Sequence, residues 1–320
     1  MSRPFASSAD LDEKRQTLDE LAPGVWALTS EGDPNIGAIE GEEFVVAFEA
    51  RATPVAARPW VEELGRRTGG KPIRYLVLSH YHAVRVLGAA AFDPQTVVAH
   101  HNTARLVEER GREDWASELG RMPRLFEDPD SIPGLTRPTL TFTETLEIQL
   151  GGERGALRLQ HLGRGHTAGD LVAWLPERRI LFAGDLVEAE AALYTGDAFH
   201  REWAGPTLDR LIGLQPDVLI GGRGPVVHGA SACRDAVAQT RRFLTTMIRR
   251  VDGVRRQGGT LKQAFDEARA ALAPSYGAWP IFEHCMPFNV ARLWDELSGT
   301  SWPRIWTAER DREVWDLLQD

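Results

Sequence analysis

The stretch Leu76-Val-Leu-Ser-His80-Tyr-His82-Ala-Val84-Arg85-Val-Leu-Gly88 carries an apolar run into two histidines one residue apart. The run from Ile73 to Leu78 reads as a buried strand. Residues i and i+2 of an extended backbone point to the same face, so the imidazoles of His80 and His82 can reach one point, as a metal ion requires. A polar loop after a core strand also produces a lone H-x-H, so the weight comes from features further along the chain.

The composition sets the frame. The chain has 320 residues, 42% hydrophobic and 26% charged, as expected of one large globular domain or two. A net charge of −9 without a basic block excludes nucleic acid as the expected partner. No apolar segment approaches bilayer length, and residues 1–10 lack the apolar core of a signal peptide, so a cytoplasmic protein without a membrane partner is expected. Cys233 and Cys285 form no C-x-x-C pair.

Along the chain, residues 1–22 are expected to form an arm or a short helix spanning Leu11 to Leu21. Val25–Thr29, Asn35–Ile39 and Phe44–Phe48 read as strands, the last ending in Glu49, which is expected at a solvated strand end. Pro54 to Arg67 is an amphipathic helix, and Thr96–Ala99 a short strand leading into a helix capped by Asn102, which leaves His100 and His101 outside the site. Residues 107–138, charged and dotted with proline, read as a long connection, either a lid or a solvated excursion. Thr139–Leu150 alternates as a hairpin. Three further strands, Leu157–Leu162, Ile180–Ala183 and Pro216–Ile220, run into Gly163-Arg164-Gly165-His166, Gly184-Asp185 and Gly221-Gly222-Arg223-Gly224, with Leu171–Leu175 between the first two. Past residue 230 the periodicity turns helical over Ala232–Val254, Leu261–Leu272, Phe282–Leu297 and Thr307–Leu318.

These spaced motifs give the chain a resemblance to the metallo-β-lactamase superfamily over roughly residues 23–230. It is carried, in order, by His80-Tyr-His82, Gly165-His166-Thr167-Ala168-Gly169-Asp170, Phe182-Ala183-Gly184-Asp185 and Gly222-Arg223-Gly224-Pro225-Val226. The resemblance implies an α+β, four-layer αββα sandwich with its site where these loops converge. It divides the chain into an N-terminal arm (1–22), the sandwich (23–230) and a C-terminal helical region packed on it (231–320). That last region carries Phe243, Trp279, Phe288 and Trp306 among its aromatics, enough to wall one side of the cleft and supply a homodimer contact.

The chain departs from the family's H-x-H-x-D-H motif at Val84 and Arg85, and Arg223 replaces the histidine of its Gly-His-Gly-Pro loop. In the family these three positions ligate the second metal. The resemblance therefore implies a mononuclear centre held by His80, His82 and His166 with Asp185 as a fourth, distant ligand. One Zn²⁺ per chain is expected, with Fe²⁺ or Mn²⁺ as alternatives. Arg85 and Arg223, with Arg164 nearby, are candidates to meet an anionic or strongly polarised oxygen of a small-molecule substrate; the competing reading has them in salt bridges to Asp185, Asp170 or Glu49. Without the motif's aspartate another group must orient the attacking water, and His228, His284, His200 and Asp170 are the candidates. Asp197, His200 and Trp203 lie where the family places substrate-contacting loops, and the Pro280–Pro287 stretch around His284 reads as a cap over a pocket. The expected activity is hydrolysis of an ester, lactone, amide or related bond by a metal-activated water. The alternatives are a mononuclear iron oxidoreductase and an inactive binding protein of the same fold.

Overall fold

The computed structural model describes residues 3–319. Its first half is built from β1 (Gln16–Ala22), β2 (Val25–Ser30), β3 (Ile36–Glu40), β4 (Val45–Phe48), α1 (Pro54–Arg67), β5 (Ile73–Val77), α2 (Ala83–Val86), β6 (Thr96–His100), α3 (His101–Arg121) and β7 (Leu140–Phe142). These strands form one seven-stranded sheet in sequence order, antiparallel from β1 to β4 and parallel from β4 to β7. The second sheet takes β8 (Thr145–Gln149), β9 (Ala156–Gln160), β10 (Val172–Leu175), β11 (Ile180–Gly184), β12 (Val218–Gly221) and β13 (Val227–His228), in the order β13-β12-β11-β10-β9-β8. The short α4 (His200–Glu202) and α5 (Leu208–Gly213) precede β12, and α6 (Ala230–Arg256), α7 (Leu261–Tyr276), α8 (Phe282–Leu297) and α9 (Ala308–Gln319) follow β13.

The period-two alternation of the strands makes the layers. In β5, Val77 joins Val46, Phe48 and Val98 in the core between the sheets, while Leu76 and Leu78 face the outer core against α1. In β11, Ile180 and Phe182 face inward and Leu181 and Ala183 face the C-terminal helices, where α6, α7 and α8 contribute Phe243, Met247, Phe265 and Met286. The result is helix, sheet, sheet, helix, as the sequence resemblance implied. The C-terminal region is also tied to the loops of the second sheet by polar contacts. Asn289 of α8, fully buried, accepts from the Thr195 amide at 2.6 Å and donates to the Leu193 carbonyl at 2.8 Å, and Arg292 donates to the Ala198 carbonyl at 2.9 Å.

Five sequence expectations need correction. Residues 139–150 do not form a hairpin: β7 pairs with β6 in the first sheet and β8 with β9 in the second, so the turn between them carries the chain from one sheet to the other. The stretch from Leu11 to Leu21 is not helical: residues 16–22 form β1, paired with β2 through an irregularity between Glu20 and Ala22 and across the turn at Pro23-Gly24, where Gly24 has φ 76°. That turn decides the conformation, and the spacing of Leu11, Leu18 and Leu21 does not. Residues 107–121 are not a loop but the greater part of α3. Its charges mislead because Arg110, Asp114, Glu118 and Arg121 lie on its buried face and are neutralised inside. The cap of α3 is His100, whose Nδ1 accepts from the Asn102 amide at 3.2 Å. Glu49 is buried, not solvated, with its Oε1 accepting from the Ser79 amide at 2.8 Å.

Asn35 joins the two sheets beside the site. Its Oδ1 accepts from the Ser30 amide at 3.0 Å, and its Nδ2 donates to the carbonyls of Gly221 and Gly224 at 3.0 and 2.9 Å. Asn35→Ala leaves these buried groups unpaired and should lower unfolding free energy by about 2–3 kcal/mol. A denaturant midpoint unchanged from the parent protein would show that water replaces the clamp.

Candidate metal centre

The loops that leave the C-terminal ends of β5, β9, β11 and β12 converge, and His80, His82 and His166 meet there. One ring nitrogen from each lies within 4.8 Å of the others, and all three side chains are buried. The rings stand nearly perpendicular to one another, with centroids 4.6–4.8 Å apart and interplanar angles of 80–90°.

Each ring is oriented from outside through its other nitrogen, and two of these contacts fix the tautomer. His166 Nδ1 lies 2.9 Å from the Tyr194 carbonyl, which can only accept, so Nδ1 carries the proton and Nε2 a lone pair. His82 Nε2 donates to Asp197 Oδ2 at 3.1 Å, leaving Nδ1 to face His166 Nε2 at 3.0 Å. His80 Nδ1 lies 2.8 Å from Ser79 Oγ, and the Ser79 amide donates to Glu49 Oε1 at 2.8 Å. The serine hydroxyl thus engages the outer nitrogen of His80, and His80 Nε2 has no partner. Three inward nitrogens, each backed by an outer hydrogen bond, could hold a divalent metal and have the orienting partners such ligands need. A tetrahedral site with metal–nitrogen bonds of about 2.0–2.1 Å places its nitrogens about 3.3 Å apart, close to the His82–His166 separation.

The surrounding charge is arranged in two groups. Behind His82, Asp197 also takes Arg110 at 3.2 Å, while Asp114 and Glu118, one turn apart on α3, accept from the Ala83 and Val84 amides at 2.7 and 2.8 Å. Burial opposes a charge on His82, but Asp114, Asp197 and Glu118 outweigh it and push its pKa up to about 9. Burial holds His166 down at about 3 and His80 well below its ordinary value. The second group is centred on Asp185. Arg85 donates to its Oδ1, and Arg223 to its Oδ2 at 3.1 Å, with Arg223 also holding Glu188 at 3.0 Å. Asp185 Oδ2 lies 3.5 Å from His166 Nε2 and 3.9 Å from His80 Nε2. Burial alone would protonate Asp185, but Arg85, His80 and Arg223 keep its pKa far below the usual carboxylate range. Glu188 goes the other way, raised to about 8 by burial and by Asp185. The close approach of Arg85 needs a glycine at 222, since a Cβ there would meet the Asp185 carboxylate and the Arg85 guanidinium.

Of the sequence candidates, the structure brings together His80, His82, His166, Asp185, Arg85 and Arg223, with both arginines committed to Asp185. His284 lines an inner chamber with His82, His166, Asp185, Arg223 and Tyr194. Others fall elsewhere. His228 is exposed on β13. His200 is locked between Glu296 and Thr195, both at 2.8 Å, and so is not placed to touch substrate. Trp203 is fully buried, donates to the Leu186 carbonyl at 3.1 Å and backs the His166 ring. Arg164 pairs with Glu202 at 2.7 Å over the Phe199 ring. Asp170 accepts from the Thr167 amide and hydroxyl, which braces the His166 loop, and burial lifts its pKa to about 7. Asp114, Glu118, Glu188 and Tyr194 were not singled out from sequence; a four-residue carboxylate spacing on α3 was the one available signal. Both cysteines are free and buried, and among the described residues no helix is long and apolar enough to cross a membrane.

The sequence model of the metallo-beta-lactamase superfamily matches residues 52–223. The 2,4-dinitroanisole O-demethylase subunit alpha of Nocardioides sp. (strain JS1661) is 26% identical over 220 residues, 66% of this chain; the match spans 58% of that subunit's length. A metallo-beta-lactamase type 2 of Bacillus sp. (strain 170) is 24% identical over 200 residues, covering 59% of this chain and 68% of the relative. The solved metallo-beta-lactamase from Pontibacter korlensis superposes with a TM-score of 0.56 at 21% identity, covering 72% of this chain and 99% of that one, a likeness of fold.

In the metal-free protein the proton between His82 Nδ1 and His166 Nε2 belongs to His82, so a metal must displace it. His82 stays protonated below its pKa of about 9, and His80 and His166 are already neutral near pH 7. Zn²⁺ affinity should therefore rise about tenfold per pH unit between pH 6.5 and 8.5, with one proton released per metal bound. Calorimetric titration in buffers of different ionisation enthalpy measures both, and a pH-independent affinity would refute the assignment of that proton.

Proposed function

Because the chain belongs to the metallo-beta-lactamase superfamily, we propose that it is a hydrolase of small organic molecules working with one metal ion. The observation that carries this reading is the set of three histidines whose outer nitrogens are all engaged, so that their free nitrogens converge. A divalent metal bound there supplies Lewis acidity, lowering the pKa of a water and polarising the bond to be cleaved. The chain's own residues do the rest. Ser79, Asp197 and the Tyr194 carbonyl engage the outer nitrogens of the rings, and Asp185, kept ionised by two guanidiniums, presents a carboxylate oxygen beside the histidine nitrogens. Arg85 and Arg223 bring positive charge to Asp185, which supports one metal rather than two. The relatives' names support a substrate class that runs from β-lactams and related acyl compounds to activated aryl ethers.

Metal analysis of the purified protein should give one metal per chain, with Zn²⁺ as the expected ion. A panel of 4-nitrophenyl acetate, a simple lactone, a β-lactam and 2,4-dinitroanisole should yield turnover that disappears in His82→Ala and His166→Ala together with the metal. Two metals per chain, or turnover that survives loss of the histidines, would sink the proposal.

Arg85 is fully buried and spent on Asp185 and the Asn35 carbonyl, whereas Arg223 also lines the chamber. Arg85→Met should cost about 3–5 kcal/mol of stability by stripping a buried carboxylate of a partner. Turnover per folded molecule should change little. For Arg223→Met we expect both stability and turnover to fall. Equal turnover losses in the two variants, measured alongside their unfolding midpoints, would contradict this division.

A further inference from the structure

His284 lies in the first turn of α8 and is 2% exposed, yet neither of its ring nitrogens has a hydrogen-bond partner. A buried imidazole presents at least one N–H, and native proteins seldom leave such a group unpaired unless something else meets it there. The chamber it lines with His82, His166 and Asp185 has a volume of about 10 Å³, room for about one water. Two walls of that chamber, Met122 and Ile281, are also walls of an outer cleft of about 850 Å³ open to solvent. The partition is strained: Ile281 has φ 59° and ψ 7°, a left-handed conformation that costs a β-branched residue dearly. It sits in the short connection between α7 and α8, where the Ala192 amide donates to the Pro280 carbonyl at 3.1 Å and the Cys285 amide to the Ile281 carbonyl at 2.9 Å.

We propose that His284 is a substrate-contacting residue: a small compound with an apolar body and an acceptor oxygen passes from the outer cleft by displacement of Met122 and Ile281, and His284 donates its N–H to that oxygen. The walls offer such a molecule apolar surface from the Tyr194 ring, Met122 and Ile281, while the charged groups that line the chamber, Arg121 and Arg223 against Glu118 and Asp185, oppose one another. Burial, reinforced by those two arginines, keeps His284 neutral, so it meets the oxygen as a hydrogen-bond donor and not as a counter-ion. Its ring is steadied by Phe288 one turn on, with centroids 5.6 Å apart. The inference rests on the hydrolase reading for the chemistry of the chamber, but contact at His284 can be tested without turnover.

The probe is 4-nitrophenol, an aromatic ring bearing acceptor oxygens, titrated into the metal-loaded protein and read by difference absorbance. His284→Phe should weaken binding about tenfold, the worth of a good hydrogen bond. His284→Gln, which keeps an N–H donor, should restore most of it. If the phenylalanine variant does not fold, His284→Leu makes the same loss-of-donor test. Ile281→Gly, which relieves the left-handed strain, should speed association in stopped flow. No binding to the parent protein, or equal binding by the parent and the donor-less variants, overturns the contact; an unchanged association rate in Ile281→Gly overturns the route. Turnover of 4-nitrophenyl acetate measured in parallel reports on the hydrolase reading separately. His284-dependent binding without turnover removes that reading and leaves the contact standing, whereas turnover with binding indifferent to residue 284 does the opposite.

Discussion

A carboxylate cannot stay ionised out of water without close compensation, and Asp185 is 4% exposed. Its compensation organises this end of the molecule. Arg85 arrives from α2, Arg223 from the loop after β12, and the histidine rings from the loops after β5 and β9, so the ends of both sheets are tied to one side chain. The glycine at 222, the Asn35 clamp beneath it and the anchoring of Glu188 all serve that approach. The two guanidiniums keep their charge throughout, because they cannot give up their protons.

The second buried charge group behaves differently. Asp197, Asp114 and Glu118 gather behind His82, with Arg110 as a nearby cation; they make His82 basic, while burial and the nearness of Glu118 raise Asp114 well above the usual carboxylate range. One pair of neighbouring histidines, His82 and His166, is thus driven in opposite directions by its surroundings. The asymmetry follows from which helix lies behind each ring, α3 with its acids or the second-sheet loops with backbone carbonyls.

How much of this was legible in the sequence can be judged residue by residue. His80, His82, His166 and Asp185 could be found because each follows an apolar run of strand length, and glycines flank the last two. The sandwich followed from the same pattern. The acids of α3 could not be recognised, since a buried charged face looks like a solvated one until its partners are known, and those partners are the backbone amides of α2 and a loop some ninety residues away. Glu49 failed for the same reason: its role depends on Ser79, which only strand pairing brings beside it. His200 and Trp203 were read from position alone. Their neighbours Glu296 and Leu186 make them supports of the loop rather than contacts for a substrate.

The arginine clamp also bears on how such a site changes over generations. Arg85 and Arg223 stand where the family's second-metal histidines do, and Glu188 has become the added partner of Arg223. Replacing either arginine by histidine alone would leave two buried carboxylates sharing a single guanidinium, while Val84 still offers no ligand. A second set of metal ligands at this place would therefore need changes at residues 84, 85, 188 and 223 together. The clamp thus couples these positions, so that a change at either arginine is felt at once by Asp185 and, through Arg223, by Glu188.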